Sequence, residues 1–333
     1  MTIKHILALL DSHAVGDEER LLSIALSIAA TEARAGHNDD ASALKQAVQR
    51  VRDARRSSPT AAAAPIPLAR PRGELQGIIE SAYPKTRLGN MVLGPATADK
   101  LARVVRQQTA RATLREHGQT PASHLLLIGP PGTGKTMTSA ALAAELHLPL
   151  FTIKLESVFS RYMGETAAKL RLVFDQVAQV RGVYLLDEFD AIGARRGDPN
   201  DVGEMRRILN SVLSFMEEPN STDSIVVAAT NHVEILDHAL ARRFDEVVEY
   251  ALPSAEEGVA ILRARLGKFK LPAKALKGLH EDLGGLSQGE IVRAADSAVR
   301  ETILDGAAEI SVAHLSTMLR DRKAFRDRFH PAT

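Results

Sequence analysis

A chain of 333 residues, 45% of them hydrophobic, is long enough to bury a sizeable core and to form two or three folded units. Its formal net charge of +1 leaves no electrostatic footprint for a polyanion, which argues against a general nucleic-acid binder. Cysteine is absent, and disulfides, thiolate metal sites and cysteine nucleophiles go with it, as suits a reducing cytosol.

Residues 1–56 read as a small helical unit that binds a partner or docks on the rest of the chain. Ile6, Leu9 and Leu10 share one helical face, Leu21, Ile24, Ala25, Ile28 and Ala29 a second, and Leu44, Val48 and Val51 a third, with Asn38 or Asp39 as cap. The most apolar early run, Leu21–Ala30, is flanked by charge and far shorter than the roughly 20 residues a bilayer requires. The first residues also lack the basic, apolar and small-residue layout of a signal peptide, so a cytoplasmic protein without a membrane span is expected. Residues 57–73 shift to Ala, Pro and Ser, the composition of an extended linker.

From 74 to 253, short apolar runs alternate with helical stretches, the pattern of an α/β domain on a parallel sheet. Five strands are predicted: Leu125–Ile128, Leu150–Ile153, Val183–Leu186, Ile225–Ala229 and Val247–Tyr250. Their near-continuous apolar character suits strands covered on both faces. Residues 254–333 return to helical periodicity over Glu256–Leu266, Glu290–Leu304 and Val312–Leu319, which predicts a C-terminal helical domain.

The first predicted strand runs into Gly129-Pro130-Pro131-Gly132-Thr133-Gly134-Lys135-Thr136, a complete GxxxxGK[ST] P-loop, and a helix-forming run from Met137 follows it. Glycines let the backbone turn tightly, so that successive N–H groups and the helix N-terminus face phosphate oxygens. Lys135 reaches the β- and γ-phosphates, the Thr136 hydroxyl ligates Mg²⁺, and Met137 completes the nucleotide-binding set. A glycine-rich turn matching by chance would lack both the strand and the helix. The third predicted strand ends in Asp187-Glu188 and aims both carboxylates into the crevice at the carboxyl edge of the sheet. Asp187 would hold Mg²⁺, largely through its waters, and Glu188 is the natural general base for an attacking water. ATP and Mg²⁺ are therefore the expected ligands.

These motifs together resemble those of the AAA ATPases, P-loop proteins of the AAA+ superfamily, over roughly Leu88 to Leu319. Val226–Asn231 is similar to the family's sensor strand, whose terminal amide, here Asn231, addresses the γ-phosphate and the attacking water. Leu236–Asp245 resembles the arginine-finger segment, which implies that Arg242 and Arg243 act on a neighbouring subunit's nucleotide. Fingers acting in trans imply a homo-oligomeric ring, most often a hexamer. Gly285–Ile291 is similar to the family's G-x-S-G-A-D-[IL] lid element, with Gly289 as a nucleotide contact, but Gln288 and Gly289 depart from its usual Gly-Ala. Arg293 on the same helix reads equally well as a solvated residue or as a nucleotide contact.

Ser160–Glu165 falls where AAA unfoldases carry an aromatic–hydrophobic–Gly pore loop. The resemblance assigns Tyr162, Met163 and Gly164 to gripping an unfolded protein client. Residues 195–201 offer a second such loop, or a solvated charged stretch. Two other classes stay open: a DNA-handling motor using Arg103, Arg106, Arg111 and Arg115 or the later Arg320, Arg322, Lys323, Arg326 and Arg328, and a nucleotide-gated scaffold that holds its partner without threading it. No HExxH motif is present, so any proteolysis belongs to another chain. A finer resemblance, carried by Gly16–Arg20, Tyr162–Arg171 and Asn200–Glu204, is to a bacterial AAA subgroup encoded beside subtilisin-like serine proteases in plasmid-stability and phage-defence modules. It implies such a protease as partner, with this chain as its regulator or antitoxin.

Overall fold

The computed structural model describes residues 71, 73–159, 163–192, 199–232, 241–267, 269, 276, 278–307 and 309–329, with 24, 27–29, 37, 41–43 and 45–48 nearer the N-terminus. The chain divides into two compact units, residues 1–66 and 67–333. In the first, the described residues at 24, 27–29, 41–43 and 45–48 are helical, and Ile28, Ala29, Ala41 and Val48 are buried. The remaining helical expectations there, and the 57–73 linker apart from Pro71 and Gly73, lie outside the described residues.

The second unit begins with strand β1 (Ile79–Ala82) and helices α1 (Pro95–Thr109) and α2 (Arg111–Glu116). The P-loop lies between β2 (His124–Ile128) and α3 (Lys135–Glu145), and β3 (Leu150–Ile153), α4 (Leu155–Val158) and α5 (Met163–Gln179) follow. Next come β4 (Val183–Leu186), α6 (Pro199–Met216), β5 (Ile225–Thr230) and β6 (Glu246–Glu249). The lid contains α7 (Ala255–Leu266), α8 (His280–Leu283), α9 (Gln288–Leu304) and α10 (Val312–Phe329). Local chemistry sets several of the starts. Pro95 opens α1, where its missing N–H costs nothing. Ser254 with Glu257 and Ser287 with Glu290 form reciprocal capping boxes at the heads of α7 and α9.

The strands form one sheet in the order β1-β3-β4-β5-β2-β6. The five predicted strands are present and run parallel. The expectation of a five-stranded sheet needs one correction, because β1 adds a sixth strand, antiparallel to β3 at the edge. An edge strand has one ladder partner and needs only one buried face. In Ile-Glu-Ser-Ala, Ile79 is buried and Glu80 exposed, so no apolar run announces it.

Alternation along the central strands sends side chains into two cores, one on each face. Leu126, Phe151, Tyr184, Leu186 and Val226 pack with Leu170, Phe174 and Val212 of α5 and α6. Leu125, Leu127, Val183, Leu185 and Val227 pack with Leu101, Val104 and Leu142 of α1 and α3. Tyr184, fully buried, stacks on Phe151 at 4.7 Å between centroids and donates its hydroxyl to Val180 O at 2.7 Å. A third core, around Leu262, Leu283, Ile291 and Leu315, holds the lid helices together.

This strand order decides where the chemistry lies. β5 runs between β4 and β2, and all three end at the same edge. The residues that leave those tips (the P-loop, the acidic pair and Asn231) are therefore neighbours in space although about 100 positions separate them in the chain.

Candidate nucleotide site

The P-loop holds its shape through backbone that only glycine adopts freely. Gly129 has φ +145°, and a Cβ there would stand 2.2 Å from the Tyr250 carbonyl oxygen, so β6's extension presses directly on the loop. Gly132 has φ +77°, and its Cβ position is 2.7 Å from Ser287 Oγ, where the lid presses on the other side. The Thr133 hydroxyl donates to Pro130 O at 2.8 Å and closes the turn internally.

Lys135 is buried at the head of α3 and donates from Nζ to Gly129 O at 2.7 Å, Pro130 O at 2.8 Å and Asn231 Oδ1 at 2.8 Å. Burial lowers its pKa, against the opposing pull of the Asp187 and Asp190 carboxylates. One residue on, the Thr136 hydroxyl donates to Asp187 Oδ2 at 2.7 Å. The other Asp187 oxygen accepts from the Glu188 N–H at 3.0 Å. Glu188 has φ +51°, a left-handed conformation costly for a non-glycine residue; its side chain is exposed and lines the cavity.

Asn231 is placed by a neighbour that the sequence motifs do not reveal. Asp190 Oδ1 accepts the hydroxyl of buried Thr230 at 2.8 Å, and Thr230 Oγ1 in turn accepts the His232 N–H at 3.0 Å. The tip of β5 is thus tied to the turn after β4. The signal available in the sequence was a third acid two residues past Glu188.

A cavity of about 660 Å³ opens over these groups, within the usual range for small-ligand sites. Gly132, Lys135, Thr136, Asp187, Glu188 and Asn231 line one end. Met91, Val92, Met137, Ile261 and Val292 contribute an apolar surface elsewhere in it. Gly289, from the lid, donates its N–H to Gly132 O at 2.8 Å, and Gln288 Nε2 donates to Val92 O at 3.0 Å. The donor set suits Mg²⁺. A hydroxyl and a carboxylate in contact, with room for phosphate oxygens and water, are the hard oxygen ligands that ion prefers. Among the described residues no group of three His, Cys, Asp or Glu side chains gathers as a metal site of its own.

Residues 125–252 match the family described as the ATPase family associated with various cellular activities (AAA). An uncharacterized AAA family ATPase of Sinorhizobium fredii, y4kL, is 31% identical over 321 residues, which are 95% of this chain and 95% of that protein. The chain belongs to the AAA family of ATPases. It binds nucleotide and hydrolyses ATP. It is also similar to the ATP-dependent zinc metalloprotease FtsH 3 of Sphaerobacter thermophilus, 32% identical over 249 residues covering 73% of this chain. The proteasome-activating nucleotidase of Saccharolobus islandicus is 33% identical over 208 residues, 60% of this chain. The chain spans only 51% and 53% of the length of those two relatives.

Not every expected site residue of this AAA ATPase lines the cavity. Gly129 and Pro130 serve it as acceptors for Lys135, and Thr133 as a brace. Arg242 and Arg243 are exposed on the turn before β6, outside the cavity lining, and Arg243 is ion-paired with Glu217. Phe244 and Asp245 anchor that turn. Phe244 is buried against Phe189, and Asp245 Oδ2 accepts the N–H groups of Ser123 at 2.8 Å and His124 at 2.9 Å. Arg293 lines a second cavity with Pro131 and Arg322. Tyr162 and residues 195–198 lie outside the described residues; Met163 opens α5, and Gly164 beside it is exposed. Among the described residues, no helix is long and apolar enough to cross a membrane.

Proposed function

We propose that this AAA ATPase binds Mg-ATP in the cavity described above and couples its hydrolysis to remodelling a protein client as a subunit of a homo-oligomeric ring. The observation that carries the site is the convergence of Lys135, Thr136, Asp187, Glu188 and Asn231 from three strand tips. The P-loop amides and Lys135 hold the phosphates, with Lys135 exchanging its carbonyl partners for phosphate oxygens. Thr136 and Asp187 hold Mg²⁺, which supplies neutralisation of the β- and γ-phosphate charge when bound. Glu188 accepts a proton from the attacking water as its oxygen bonds to the γ-phosphorus and the bond to the β–γ bridging oxygen breaks. Asn231 helps to orient that water.

Arg242 and Arg243 complete the site of a neighbouring copy; their exposure outside their own subunit's cavity supports action in trans. A ring of six is the arrangement the resemblance favours. The names of the relatives, a protease and a proteasome-activating nucleotidase, support a protein client over DNA. Tyr162, Met163 and Gly164 would grip it, with residues 1–56 recruiting the partner through the 57–73 linker, in the cytoplasm. The finer reading, a subtilisin-like serine protease as that partner and this chain as its antitoxin, rests on the sequence at Gly16–Arg20, Tyr162–Arg171 and Asn200–Glu204.

Glu188→Gln tests the core of this reading. Turnover should fall by at least about a hundredfold while ATP stays bound, as phosphate release and nucleotide retention would record. Turnover near the wild-type rate would remove Glu188 from the chemistry.

A further inference from the structure

Three consecutive lid residues meet the rest of the nucleotide cavity, and each does so differently. Ser287 packs on Gly132, and Gly289 donates its N–H to the Gly132 carbonyl. Gln288 reaches furthest, through its carboxamide. Its Nε2 donates to Val92 O at 3.0 Å, linking residues 196 positions apart, and its Oε1 lies 3.3 Å from the position a Cβ would take on Gly134. One carboxamide therefore reaches from the lid to the segment before α1 and to the P-loop, and it lines the cavity between them.

The physical consequence follows from what each wall is attached to. Val92 precedes α1 and sits next to Leu93, which with Leu88 packs on the sheet core, although its own side chain also touches the lid core; Gln288 is the first residue of lid helix α9. Moving the lid away from the sheet side must break the bond between them. The Val92 carbonyl is partly buried, so breaking the bond leaves an acceptor poorly placed to recover a partner at once. The AAA lid element that residues 285–291 resemble has glycine at this position, and glycine has no side chain to form such a bond.

We propose that Gln288 is a clasp: a positioning residue that keeps the lid closed over bound nucleotide and slows its release. The proposal rests on the nucleotide-site reading above. It assigns Gln288 no part in bond breaking. Its effect is on the residence time of ADP and on the apparent affinity for ATP. An oxygen in place of Nε2 would face the Val92 carbonyl with two acceptors and no proton, so a carboxylate of the same length should release at least as fast as alanine does.

The test is stopped-flow release of a fluorescent N-methylanthraniloyl-ADP from the full chain as wild type, Lys135→Ala, Gln288→Ala and Gln288→Glu, with thermal melting of each protein without nucleotide. Gln288→Ala and Gln288→Glu should release the nucleotide about fivefold faster than wild type, the scale of one lost neutral hydrogen bond, with the melting temperature lowered by no more than a few degrees. Lys135→Ala should fail to bind it. If Lys135→Ala binds like wild type, the nucleotide lies elsewhere and the clasp falls with the site. If Lys135→Ala loses binding while both Gln288 variants release at the wild-type rate, the clasp alone is wrong. Faster release with a larger fall in melting temperature would also overturn it, because that marks a helix that has come loose.

Discussion

The two sides of the nucleotide cavity are built on different plans. At the P-loop end, the key groups leave a strand tip or the first turn of a helix fixed to the same sheet, and several of their polar atoms are engaged. Lys135 has three acceptors, Thr136 meets Asp187, and Asp190 braces Thr230. The apolar surface comes instead from separate stretches: Met91 and Val92 before α1, Ile261 from α7, and Val292 from α9. Directional hydrogen bonds and charge need a platform that holds atoms to within a fraction of an ångström, which a sheet buried on both faces provides. Apolar contact tolerates looser geometry, and it can therefore be shared with a lid whose own core is separate from those of the sheet.

That contrast can be broken by experiment, and the largest effect should come from the phosphate end. Asp190→Ala removes the brace on Thr230, together with a carboxylate charge that acts on Lys135. If rigid placement of Asn231 matters, kcat should fall about tenfold with a smaller change in KM, read from steady-state ATPase rates. A wild-type kcat would show that the tip of β5 holds itself. At the apolar side the pattern should invert. Met91→Ala trims contact surface that helps ground state and transition state alike, so KM for ATP should rise about threefold with kcat preserved. A fall in kcat instead would mean that this wall positions the phosphates too.

The smallest effect expected is on stability and lies at the turn before β6. Burial alone would raise the Asp245 carboxyl. Hydrogen bonds from His124 and from the Ser123 and His124 backbone outweigh it and hold the pKa at about 2, below its value in an unfolded chain. A depressed carboxyl stabilises the folded state fully above its unfolded pKa, near 4, and loses that contribution as pH falls towards 2. Asp245→Asn should therefore lower the melting temperature by a few degrees at neutral pH and flatten the acid side of the melting-temperature profile. Identical acid limbs in variant and wild type would assign that limb to other carboxylates.

How much of this was legible in advance follows the same division. The P-loop and Asp187-Glu188 could be read because each is contiguous in sequence, and the phosphate chemistry restricts which residue types serve at each spacing; Asn231 was legible only through the resemblance to the AAA sensor strand. The five central strands were legible because burial on both faces forces apolar runs. Strand β1 was not, because an edge strand with Glu80 and Ser81 imposes no such pattern. Asp190 carried a weak signal, an acid near a known pair, but its partner Thr230 lies 40 positions away. Met91, Val92, Ile261 and Val292 are ordinary helix and loop residues until the lid brings them together.

The sequence by itself determined the P-loop, the acidic pair that we propose as reacting groups and the α/β plan that carries them, since local spacing and hydrophobic period record both. Tertiary structure alone decided that β5 runs between β4 and β2, which sets Asn231 against Lys135. It also turned Arg242 and Arg243 away from their own cavity and laid Gln288 across to Val92. Those three facts depend on contacts between residues far apart in the chain. Such contacts are fixed by how packed faces and strand order close on one another, and no short stretch of sequence encodes that closure.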